Sequence, residues 1–126
     1  MIMITGGAFQ GKTEFAKKLL GISDEDIKDC GSCEPEELKN ARCVKHYELA
    51  VKRLLSENKD PLLFTEELDC EAVIMDEIGC GIIPLEKSGR VWREYAGRAG
   101  CITARRSERV YRLCCGIATL IKGEET

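Results

Sequence analysis

The sequence contains no apolar run approaching the ~18 residues that a membrane-spanning helix needs. Its opening apolar stretch is only Met1-Ile2-Met3-Ile4, with no basic segment ahead of it. That is not the pattern of a secretory leader, and a cytoplasmic location is expected. Internal repeats and low-complexity tracts are missing too, which removes the solenoid and disordered classes. There is no excess of positive charge: the net value is −3, so the totals give no reason to expect a nucleic-acid partner. Histidine occurs once, and any histidine nucleophile or ligand must therefore be His46.

What is present fits one soluble α/β domain over residues 1–126. Apolar residues make up 44% and charged residues 33% of a chain long enough for a single core. Eight cysteines without an export signal read as reduced thiols. Charge is unevenly spread. Asp24, Glu25, Asp26, Asp29, Glu34, Glu36 and Glu37 crowd residues 23–37, whereas residues 87–112 are rich in arginine. The basic region suits a polyphosphate ligand, although a solvated helix face explains such a run equally well.

Apolar patterning predicts a strand over residues 1–5, a glycine turn, and a helix from Lys12 to Leu20 closed by Gly21. Residues Ser23 to Pro35 read as a loop. The spacing of Leu38, Val44, Tyr47, Ala50, Val51 and Leu54 predicts an amphipathic helix from Glu36 to about Glu57. An apolar turn at Leu62-Leu63-Phe64 and a brief helical piece, Thr65 to Leu68, follow. Ala72 to Asp76 is apolar until its last residue, as in a strand covered on both faces. A glycine-punctuated loop leads to a long helix, Leu85 to about Arg106, and then to two strands around Gly116. The expected fold is α/β of the P-loop NTPase-like kind, a small mostly parallel sheet flanked by helices, with a C-terminal strand pair.

Gly6-Gly7-Ala8-Phe9-Gln10-Gly11-Lys12-Thr13 satisfies G-x-x-x-x-G-K-[ST] between a strand and a helix. Glycines there let backbone N–H groups turn inward onto phosphate oxygens, helped by the positive end of the helix dipole. Lys12 would bridge the β- and γ-phosphates of GTP or ATP, and the Thr13 hydroxyl would ligate Mg²⁺. Asp76 and Glu77 close the second strand, at the edge of the sheet where ligands bind. Asp76 is the candidate for Mg²⁺, and Glu77 for orienting a nucleophile or accepting a proton. Solvated acids at a strand end would look the same.

From "DEIGCGIIPLEKSGRVWREYAGRAG" onward the chain resembles the adenosylcobinamide kinase / adenosylcobinamide-phosphate guanylyltransferase family of cobalamin biosynthesis. That family carries G-G-x-x-x-G-K-[ST], then N-E-V-G-x-G-I-V-P, then R-x-x-R-D-x-x-G-R-x-N-Q, then E-V-x-x-V-x-x-G. Here the matching stretches are Gly6 to Thr13, Asp76 to Pro84, Arg90 to Gly100, and Glu108 to Gly116. The resemblance implies nucleotide and corrinoid substrates and a homo-oligomer, trimeric in the family. It also implies two reactions: phosphorylation of adenosylcobinamide, and GMP transfer through a guanylyl-histidine. Arg98, in the G-R motif, would stabilise phosphoryl charge. The chain departs from the pattern at Asp76, where the family has Asn, and at Gly100-Cys101, where Asn-Gln is usual. It is also shorter between its first helix and Ala72, as a short form would be.

By this resemblance His46 is the candidate guanylyl acceptor. Cys30, Cys33, Cys43 and His46 also spell C-x₂-C-x₉-C-x₂-H, a Cys₃His set with zinc spacing, in which Cys43 and His46 would share a helix face. A zinc-bound imidazole is a poor nucleophile, so the two roles are nearly exclusive. A helical histidine beside unrelated thiols is the third reading, and all three stand open on the sequence alone. If catalysis has been lost, the chain would be a P-loop binding or regulatory module.

Overall fold

The computed structural model describes residues 1–78 and 86–125. Six strands form one sheet in the order β2-β3-β4-β1-β5-β6. These are β1 (Ile2–Gly6), β2 (Ile27–Asp29), β3 (Cys43–Lys45), β4 (Ala72–Asp76), β5 (Arg109–Cys114) and β6 (Ile117–Lys122). The first five in that order run parallel, and β6 returns antiparallel to β5. The expected α/β architecture with its C-terminal strand pair is therefore present. Four α-helices lie among the described residues: α1 (Lys12–Leu20), α2 (Tyr47–Ser56), α3 (Pro61–Glu67) and α4 (Lys87–Arg106).

Side chains alternate across the sheet with the two-residue period of extended backbone. Ile2, Ile4, Cys43, Ala72, Ile74, Tyr111 and Leu113 turn to one face, where Ala16 and Phe15 of α1 cover them. Met3, Val44, Val73, Met75 and Val110 turn to the other, under Ala50 and Val51 of α2 and Ala96 and Ala99 of α4. The central strands β1 and β4 are thus buried on both sides, which is why their sequences are continuously apolar. Truncating Ile74, 2% exposed, would leave a cavity costing about 2–5 kcal/mol.

Three expected elements differ. The loop from Ser23 to Pro35 contains strand β2, and the long helix over Glu36–Glu57 is instead a 3₁₀ segment (Pro35–Asn40), strand β3, and α2. Leu38, Val44 and Tyr47 do share one apolar cluster, so the periodicity is real, but it is supplied by three elements rather than one helix. Cys43 and Val44, both fully buried on opposite faces, need extended backbone. The third difference is α3, one helix where a turn and a helical piece were expected. Asp60 caps it by accepting the Leu62 and Leu63 N–H groups, with Pro61 in its first turn. The expected long helix starts later than Leu85: α4 begins at Lys87, with Glu86 in extended backbone as its N-cap, and the expected glycine loop falls on residues 79–85, outside the described residues.

Candidate nucleotide-binding site

Strand β1 ends at Gly6, between Asp76 of β4 and Leu113 of β5 in register. Gly6 is required there: its φ is +149°, and a Cβ would stand 2.5 Å from the Leu113 carbonyl oxygen. Its own carbonyl accepts the Glu77 N–H at 2.9 Å, tying the turn to the end of β4. The loop then rises through Phe9 and Gly11, both left-handed, and enters α1 at Lys12. From the far side, the β5–β6 turn braces it. Gln10 accepts the Cys115 N–H through its side chain and the Gly116 N–H through its carbonyl, the latter at 3.1 Å. Cys115 and Gly116 take φ of 52° and 78°, the two-residue turn favoured in twisted hairpins.

A cleft of about 240 Å³ lies over this loop. Residues Ala8 to Thr13 line it with Lys45, His46, Ile74 and Asp76. Lys12 is only 6% exposed, and its Nζ contacts Asp76 Oδ1 at 2.8 Å and donates to the Gly7 carbonyl at 2.6 Å. Gly7, Ala8, Phe9, Gln10, Gly11, Lys12, Thr13 and Asp76 are thus gathered at one strand–helix junction. Their side-chain ligand chemistry is hard: a hydroxyl at Thr13 and a carboxylate at Asp76. Among the described residues no three His, Cys, Asp or Glu side chains form a metal-holding group. Thr13 and Asp76 instead fit Mg²⁺ bound in the usual way, by few protein oxygens together with nucleotide phosphates and water.

Glu77 sits beside the cleft with both carboxylate oxygens on Arg112, at 2.7 and 3.0 Å. The guanidinium outweighs partial burial and holds the Glu77 carboxyl below its ordinary pKa. Glu77 is thereby a better anchor than a proton acceptor. Arg98 is not brought to this cleft. It pairs with Glu94 at 2.9 Å on the outer face of α4, beside a more open cleft of about 900 Å³ that Arg90, Arg93 and Leu62 also line.

The Cys₃His set is not assembled either. Cys43 is a strand residue packed on the α1 face of the sheet, whereas Cys30 and Cys33 pack on the α2–α4 face. Burial pushes the Cys43 thiol up to about 12 and the Cys30 thiol higher still, which disfavours the thiolates zinc requires. Nor do Cys43 and His46 share a helix face, because His46 is the left-handed residue (φ 57°, ψ 44°) that caps α2. For a residue with a side chain this conformation costs roughly 1–2 kcal/mol. What it achieves is placement: the imidazole reaches the phosphate-loop cleft, with Nδ1 3.1 Å from Asp29 Oδ1.

The model of the cobinamide kinase / cobinamide phosphate guanyltransferase family matches residues 36–121, about two thirds of the chain. The chain belongs to that family. No curated protein sequence matches it. Members of the cobinamide kinase / guanyltransferase family are nucleotide-dependent transferases of cobalamin biosynthesis, acting on nucleotides and corrinoids. The matched region starts beyond the G-x-x-x-x-G-K-[ST] motif, which lies at the β1–α1 junction outside it. No helix among the described residues is long and apolar enough to cross a membrane.

Two residues of the site escaped the motif reading. Asp29 lies in a stretch that reads as loop, and only β2 carries it to the cleft edge. Glu48, 4% exposed, accepts the Asp76 N–H at 2.8 Å, while its carbonyl takes the Trp92 indole N–H at 2.8 Å. Burial raises the Glu48 pKa, offset in part by the Asp76 amide. A glutamate in the first turn of a helix gives no sequence signal for such a role.

Proposed function

We propose that this cobinamide kinase / guanyltransferase family member phosphorylates adenosylcobinamide with Mg·GTP or Mg·ATP. The observation that carries the reading is the convergence of Lys12, Thr13 and Asp76 on one cleft at the end of β1. Main-chain amides and Lys12 would hold the β- and γ-phosphates, and Thr13 and Asp76 would hold Mg²⁺. The ion would supply charge neutralisation across the transferring phosphoryl group. Glu77, fixed by Arg112, would orient the acceptor hydroxyl rather than strip its proton. Arg98, on the outer face of α4, is given no part within one copy. The family resemblance supports a homo-oligomer.

A second reaction, guanylyl transfer through His46, is supported by the position of the imidazole in the same cleft. The two readings separate by isotope. Incubation with adenosylcobinamide and γ-labelled nucleotide should label the corrinoid, and α-labelled GTP should label the protein. Normal nucleotide binding with no γ-label on the corrinoid would reject the kinase reading, and absence of the α-label from the protein as well would favour a regulatory P-loop module.

A further inference from the structure

The single imidazole of this chain has one nitrogen committed. His46 Nδ1 stands 3.1 Å from Asp29 Oδ1, and the same oxygen accepts the Gly31 N–H at 2.9 Å. Asp29 is the last residue of β2, and β2 pairs β3 so that Asp29 lies opposite Lys45. The sheet therefore sets the carboxylate beside the residue that follows β3, His46. The Gly31 amide and the imidazole outweigh partial burial and keep the Asp29 carboxyl below its ordinary range, so at neutral pH it is a carboxylate, an acceptor only. An acceptor at Nδ1 demands a proton there. In the neutral ring this leaves the lone pair on Nε2.

We propose that Asp29 is a positioning residue that fixes the Nδ1–H tautomer of His46 and thereby presents Nε2 as the nucleophilic nitrogen at the phosphate-loop cleft. Both sides of the contact are built by the fold. His46, left-handed at the junction of β3 and α2, is among the residues lining the cleft, and edge strand β2 supplies the carboxylate at its Nδ1. The inference rests on the guanylyl-transfer reading for its chemistry. In that step the Nε2 lone pair attacks the α-phosphorus of GTP and forms the N–P bond. The bond from that phosphorus to the β-bridging oxygen breaks, and pyrophosphate leaves with its electron pair. The Nδ1 proton stays on the ring, and the Asp29 carboxylate stabilises the positive charge that the ring acquires. When a phosphate oxygen of the acceptor then attacks the same phosphorus, the N–P electrons return to Nε2. The logic is that of the aspartate behind a catalytic histidine, which holds tautomer and orientation and takes no proton itself.

Because there is one histidine, its nitrogens can be read without assignment ambiguity. Long-range ¹H–¹⁵N spectra of the uniformly labelled full chain, followed until the ring signals stop changing with rising pH, should show the proton on Nδ1. Asp29→Ala, which removes the acceptor, should move the majority to Nε2–H, the form imidazole prefers in water. Asp29→Asn, which retains an oxygen for the Gly31 amide, should give a mixture. In parallel, protein labelling from α-labelled GTP should fall about 100-fold or more in Asp29→Ala, while binding of a fluorescent GTP analogue changes less than about threefold, within 1 kcal/mol. An Nε2–H majority in the wild-type chain would overturn the proposal, as would Asp29→Ala keeping both the Nδ1–H form and the label. A wild-type chain that shows Nδ1–H but takes no α-label would uphold the tautomer and remove the transfer reading instead.

Discussion

Lys12 Nζ, from the first turn of α1, lies 2.8 Å from Asp76 Oδ1 at the end of β4, both largely shielded from water. The motif's lysine is thus neutralised by a carboxylate where the family resemblance has asparagine. Arrival of Mg·nucleotide would exchange both partners, Lys12 turning to phosphate and Asp76 to the metal. Asp76→Asn removes the competing charge and one metal ligand together. It should tighten metal-free GTP about tenfold (1.4 kcal/mol) and flatten the dependence of affinity on Mg²⁺. Titration calorimetry with Mg²⁺ and with EDTA checks this; unchanged Mg²⁺ dependence would contradict it.

Glu48 predicts a pH effect of the opposite kind from most carboxylates. Its folded pKa is raised by burial, so ionisation is harder in the folded chain than in the unfolded one. Its contribution is favourable below the unfolded pKa of about 4.3 and declines as pH rises through the folded value. Glu48→Gln keeps an acceptor for the Asp76 amide and should match the wild type in acid while exceeding it at pH 8. Glu48→Ala orphans that amide and should cost about 1–3 kcal/mol. Urea titrations at two pH values distinguish the variants.

The Glu77–Arg112 pair carries the ordinary sign. With the folded Glu77 pKa depressed by Arg112, its stabilisation is present above the unfolded value near 4.3 and lost as pH falls through the folded one. Arg112 is more than half exposed, so the pair is worth under about 1 kcal/mol at pH 7. Arg112→Ala should lower stability by that little, remove the Glu77 share of the acid-side slope, and reduce corrinoid phosphorylation far more than nucleotide binding. Equal losses in both functions would argue against an orienting role for Glu77.

Gln10 joins the phosphate loop to the β5–β6 turn through the Cys115 amide. Gln10→Ala should free that amide and raise its hydrogen exchange. It should also weaken Mg·GTP by about 3–10-fold, the worth of one hydrogen bond. Protection at Cys115 unaffected by the substitution would show that the brace does not operate.

The parts of this fold that a reader of the sequence can recover are those encoded locally. β4 is legible to the residue because its first four residues are apolar on both faces and Asp76 closes it, and the β1–α1 junction because glycines mark the turn between an apolar strand and a helix. The region from Ser23 to Ser56 is not. There, Leu38, Val44 and Tyr47 satisfy a helical spacing by accident of three elements meeting on one core, and β2 and β3 are too short, at three residues each, to show alternation. The Cys₃His spacing misled for the same reason: once residue 43 is a strand position, side-chain direction and not sequence distance decides what meets. Lys12, Thr13, Asp76 and His46 do gather at the cleft, whereas Arg98 does not. Asp29 and Glu48 depend on pairings 17 and 28 residues apart, which no local pattern announces.

Calorimetric titration with Mg·GTP and Mg·ATP, alongside Lys12→Ala, reaches the central claim most directly. The account predicts saturable heat of binding for at least one nucleotide and a loss of about 100-fold or more in affinity when the ammonium is removed. No heat with either nucleotide, or equal affinity in Lys12→Ala, would contradict it.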